Sequence, residues 1–90
     1  YLFIESFIDA GVYLGMPRDM ARHLVLQTVL GSTELIKKTG KHPAELKDMV
    51  TSPAGTTIGA LVSMENDSLR AAVINGVIKA YERTLELGEK

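Results

Sequence analysis

The sequence predicts an all-α fold. Apolar residues recur at helical spacing along most of the chain, while strict two-residue alternation over strand length and Asn-Gly hairpin signals are absent. Glycine and proline divide this pattern into about five helices.

Residues Tyr1 to Leu14 read as the first helix, with Phe3, Phe7, Ala10 and Leu14 on one face. Ile4, Ile8, Gly11 and Val12 widen that face until Glu5, Ser6 and Asp9 are nearly all that stays polar. A helix apolar on most sides is normally buried on most sides. Gly15 is expected as its stop, because glycine accepts the left-handed conformation.

Pro17 suits the first position of a second helix, with Asp19 in its first turn. That helix is expected to run to about Lys38 and to end at Gly40, with Ala21, Leu24, Val25, Thr28, Leu35 and Ile36 at helical spacing. Gly31 in its middle costs about 1 kcal/mol against alanine, which a close helix crossing would offset. Pro43 opens a short third helix, "PAELKDMV". "TTIGALVSMEN" is the fourth, and Asp67 is the expected N-cap of the fifth. The fifth helix carries Leu69, Val73, Val77, Ala80, Tyr81 and Leu85, broadened by Ile74 and Ile78, with Gly76 a second candidate crossing.

At 90 residues, with 46% hydrophobic and 23% charged residues, the chain is one globular domain or part of one. It begins inside a helical pattern with Tyr1, which reads as a C-terminal piece of a longer protein. A chain this short buries only a modest share of its surface, so a symmetric homodimer is expected to cover the excess. The net charge of −1 implies no nucleic-acid partner. No apolar run reaches the ~20 residues of a membrane span. Cysteine is absent, which fits a cytoplasmic protein and leaves no thiolate ligands. His23 and His42 are the only histidines and lie 19 positions apart, so no metal is expected. Glu5 and Asp9 are an i, i+4 pair that suits acid–base work or a solvated stripe.

One stretch breaks the helical pattern: "TSPAGTT", residues 51–57. Small residues running into a helix N-terminus leave backbone N–H groups accessible to an anion, most simply a carboxylate or phosphate. Hydroxyls of Ser52, Thr56 and Thr57 could hold a second polar group beside it. Thr56 could instead cap its helix, with Ser52 and Pro53 forming an ordinary turn. A nucleoside triphosphate is not expected, because the Gly-x-x-x-x-Gly-Lys pattern is missing.

The stretch "ELKDMVTSPAGTTIGALVSME", residues 45–65, resembles the signature of the pyrroline-5-carboxylate reductases. The pattern runs through Leu46, Val50-Thr51-Ser52, Ala54-Gly55, Thr57, Ala60-Leu61 and Met64-Glu65. "DAGVYLGMPRDMARHLVLQTVLGS" and "LRAAVINGVIKAYERTLELG" are similar to the family's flanking helices. The resemblance implies reduction of 1-pyrroline-5-carboxylate to L-proline by NADPH or NADH, in proline biosynthesis. It implies an N-terminal Rossmann domain, whose Gly-x-Gly-x-x-Gly motif does not occur here, and a C-terminal helical domain that interleaves with a symmetry mate. Some members join dimers into a decamer. Residues 1–90 would be the helical domain, inactive alone. Ala54, Gly55 and Thr56 would offer N–H groups to the substrate carboxylate, helped by Ser52. Thr57 would be catalytic, its hydroxyl near the ring nitrogen, and Val50 and Thr51 would line the nicotinamide side. Other members often have glycine at the position of Ala54.

Overall fold

The computed structural model describes residues 1–88, and among them every regular element is a helix. Helices α1 (Leu2–Tyr13), α2 (Arg18–Thr39), α3 (Pro43–Met49), α4 (Thr56–Asn66) and α5 (Leu69–Gly88) follow in order. They form two compact units, Tyr1–Leu46 and Lys47–Lys90.

In the first unit, α1 ends as the sequence predicts. Gly15 has φ 103°, its N–H donates to the Val12 carbonyl at 3.0 Å, and the Met16 N–H donates to the Gly11 carbonyl at 3.0 Å. This pair of bonds is the Schellman closure, which satisfies carbonyls the helix end would otherwise orphan. Pro17 sits one position earlier than expected, as the N-cap of α2: its carbonyl accepts the Ala21 N–H at 2.9 Å. The missing proline N–H costs nothing there. Gly40 closes α2 with φ 67° and an N–H donated to the Ile36 carbonyl at 2.9 Å.

The contact between α1 and α2 is where the core lies, and it is small. Ala21 (1% exposed) and Val25 (5%), one turn apart, are the buried apolar residues among those described. Gly11 makes the close approach possible, since a Cβ there would lie 3.2 Å from the Ala21 Cβ. The Gly31 and Gly76 crossings are not found among the described residues: beyond its own stretch of helix backbone, a Cβ at either meets no heavy atom within 4 Å. Phe3 and Phe7 meet edge-to-face with centroids 6.1 Å apart, yet both remain exposed. Leu24, Thr28 and Leu35, at helical spacing along α2, are also exposed.

In the second unit, α4 and α5 meet at their junction. Asp67 does not cap α5. It closes α4, donating its N–H to the Ser63 carbonyl at 3.1 Å. Ser68 takes the left-handed φ of 63°, and its carbonyl accepts the Ala72 N–H at 2.9 Å to start α5. Arg70 Nε donates to Glu65 Oε1 at 2.8 Å across this corner.

Helix α5 has two unlike faces. Its charged arc holds the ion pairs Lys79–Glu82 (3.9 Å) and Arg83–Glu86 (2.8 Å). At about 100° per residue, Val73, Val77, Tyr81, Ile74, Leu85 and Ile78 cover the opposite arc, roughly half the circumference. All six are exposed, Val77 at 67% and Tyr81 at 64%. The chain's accessible surface is 7692 Å². Even two separate compact bodies of half the mass would together expose only about 6,200 Å².

Gly11→Leu is expected to lower stability by roughly 1–3 kcal/mol, from overpacking against Ala21. Gly31→Leu, facing open space, is expected to change it by less than about 0.5 kcal/mol. Urea denaturation followed by helical circular dichroism compares the two, and equal losses would contradict the assignment of the crossing to Gly11.

Candidate functional site

The stretch 51–57 forms a tight turn feeding α4. Ser52 and Gly55 close it, the Gly55 N–H donating to the Ser52 carbonyl at 3.1 Å. Pro53 takes the second position, where its fixed φ fits. Ala54 takes the third with φ 56°. Positive φ at the third position is the mark of a type II turn and normally selects glycine. A non-glycine residue held there stores on the order of 1 kcal/mol of strain.

Gly55 is the N-cap of α4, with extended backbone at φ −84°, ψ 179°. Its need for glycine is steric rather than conformational: a Cβ would collide with the Ser52 hydroxyl and lie 3.3 Å from the Ser52 carbonyl oxygen. The first intrahelical bond is long, from the Gly59 N–H to the Gly55 carbonyl at 3.3 Å.

The capping alternative for Thr56 is not what the structure shows. Thr56 is the first residue inside the helix, and no side chain caps the N-terminus. The N–H groups of Thr56 and Thr57 therefore have no partner among the described residues. The Ala54 N–H is also unpartnered there, whereas the Gly55 N–H is already committed to Ser52. The hydroxyls of Ser52, Thr56 and Thr57 make no hydrogen bond among the described residues. Thr57 is half-buried; Ser52 and Thr56 are exposed. Free N–H donors, unengaged hydroxyls and the positive end of a helix converge here, an arrangement able to hold a small anion and one further polar atom.

Val50 and Thr51 precede the turn and differ sharply. The Val50 side chain is 67% exposed, an apolar surface with nothing of its own unit over it. Thr51 is half-buried and turned inward, its hydroxyl donating to the Lys47 carbonyl at 2.7 Å.

The other candidates take structural roles. Asp9 pairs with Arg18 at 2.9 Å and joins α1 to the start of α2, so the Glu5–Asp9 pair is a solvated stripe rather than an acid–base couple. His42 Nδ1 accepts the Ala44 N–H at 3.0 Å and caps α3, while His23 is exposed. Among the described residues no three His, Asp or Glu side chains cluster as metal ligands. No described helix is long and apolar enough to cross a membrane.

The family model described as pyrroline-5-carboxylate reductase dimerisation matches residues 1–87. The chain belongs to the pyrroline-5-carboxylate reductase family. It is 53% identical over 89 residues to a pyrroline-5-carboxylate reductase of Synechocystis, covering 99% of this chain and 33% of that relative. It is 54% identical over 87 residues to the Methanosarcina acetivorans reductase, covering 97% and 32%. The chain thus spans about a third of the length of these reductases. Among solved structures it is similar to a Plasmodium falciparum pyrroline carboxylate reductase with NADP bound, at TM-score 0.90 and 47% identity over 92% of this chain and 34% of that one. A Coxiella burnetii reductase matches at TM-score 0.91 and 35% identity, covering 96% and 32%.

Ala54→Gly is expected to relieve the left-handed strain and leave the protein up to about 1 kcal/mol more stable in chemical denaturation. A loss of stability of that size would show that Ala54 is not strained.

Proposed function

We propose that this chain is the substrate-binding and dimerisation part of a reductase that converts 1-pyrroline-5-carboxylate to L-proline, the closing reaction of proline biosynthesis. The observation that carries the reading is the open N-terminus of α4, where Thr57 is half-buried with its hydroxyl unengaged. The substrate is a five-membered imine bearing a carboxylate. The carboxylate suits the free N–H groups of Ala54 and Thr56, with the Ser52 hydroxyl beside them. Gly55 contributes space for that approach, since its own N–H holds the turn closed. With the carboxylate fixed, the Thr57 hydroxyl is placed to hydrogen-bond the ring nitrogen, which must gain a proton as the imine becomes an amine. Two fixed points orient a small rigid ring, which is the proximity contribution to rate.

NADPH or NADH supplies the hydride when bound. The NADP in the Plasmodium neighbour supports a nicotinamide cofactor for the family. On this chain the uncovered Val50 side chain fits an apolar wall for the nicotinamide ring, with Thr51 next to it. The reading includes a second copy of the chain over the uncovered apolar faces, α5 foremost.

The ligand-free alternative, in which 51–57 is only a capped turn, is the less favoured reading because no side chain caps α4.

Thr57→Ala in the full-length reductase is expected to lower kcat on the order of 100-fold with the dimer still folded, as for loss of one positioned hydrogen-bond donor. Steady-state kinetics with a size measurement on the same sample checks this. Unchanged turnover would show that the hydroxyl has no part in the reaction.

A further inference from the structure

We infer that Thr51 is a positioning residue for the substrate turn, acting through the end of α3 rather than by contact with a cofactor. The inference rests on the reading of 52–57 as a substrate site. Helix α3 ends at Met49, so its last carbonyls lack the usual partners four residues on. The Lys47 carbonyl receives the Val50 N–H at a long 3.3 Å, and the Thr51 N–H goes to Asp48 at 3.1 Å. The Thr51 hydroxyl then completes Lys47, at 2.7 Å. Thr28, Thr33, Thr39 and Thr84 make the same kind of bond four residues back, but all four lie inside helices and are exposed. Thr51 lies beyond its helix, in a half-buried place, where the bond fixes the path of an otherwise irregular chain.

That path leads directly into the site. Ser52 follows Thr51, and its carbonyl and hydroxyl both lie against Gly55, which sets the first turn of α4. A shift of residue 51 therefore moves the Ser52 hydroxyl and the turn that presents the Ala54 and Thr56 N–H groups. A hydroxyl donating to Lys47 also has its one proton committed, so it has none to offer a cofactor.

The test is steady-state kinetics of the full-length reductase carrying Thr51→Val, which keeps the shape and removes the hydroxyl, beside Thr51→Ser, which keeps the hydroxyl. Thr51→Val is expected to raise KM for the imine roughly 3- to 10-fold, with kcat and the cofactor KM within about twofold, as for one lost neutral hydrogen bond. Thr51→Ser is expected to restore the imine KM. An unchanged imine KM, a rise in the cofactor KM instead, or a fall in kcat alone would overturn the inference. If Thr51→Val does not fold, Thr51→Ala against Thr51→Ser makes the same comparison. Thr57→Ala measured alongside separates the two claims: a defect there with a normal Thr51→Val rejects only the role of Thr51, and normal kinetics in both variants reject the reading of the site along with it.

Discussion

The uncovered apolar half of α5 is the constraint on which the rest of the structure depends. Val73, Ile74, Val77, Ile78, Tyr81 and Leu85 stand in water along a twenty-residue helix, and no residue of α5 is buried. Burying one such side chain contributes roughly 1.5–3 kcal/mol, and helices without a packed face are marginal in water. The contact of α1 with α2 buries only Ala21 and Val25 among the described residues, too little to hold five helices. A second copy of the same surface would supply what each chain lacks. The exposed Phe3, Phe7, Leu24 and Leu35 in the first unit have the same need.

The turn before α4 works by the opposite means, small residues and strain instead of burial. Ser52 and Gly55 close against each other so tightly that a Cβ at 55 would displace the Ser52 hydroxyl. Ala54 is held in a conformation it does not favour. The result is a helix that starts with bare N–H groups and three unengaged hydroxyls. Polar groups left without partners are costly once water is excluded, so a pocket closed over them favours a ligand that satisfies them. Dimerisation and substrate binding, as proposed here, are both completions of a chain left deliberately unfinished by its own contacts.

Much of this was legible in the sequence, and the misses have physical causes. Helix ends marked by Gly15 and Gly40 were readable because left-handed stops favour glycine. Asp67 was assigned to the wrong helix: an Asp between two helices suits either end, and the left-handed Ser68 decided which. Gly31 and Gly76 looked like crossings and Gly11 did not, because a missing Cβ says nothing about what lies opposite. The turn before α4 was readable from its run of small and hydroxylated residues. Whether Thr56 capped α4 could not be read there, since the answer depends on the backbone of Gly55. The commitment of the Thr51 hydroxyl depended likewise on where α3 stops.

The mass of the folded chain in solution tests the central claim most directly. Sedimentation equilibrium over a range of micromolar concentrations, with helicity followed on the same samples, reads it. The account predicts a helical species of at least twice the 9.8 kDa chain mass, losing helix as dilution dissociates it. A fully helical 9.8 kDa monomer whose mass does not change with concentration would contradict it.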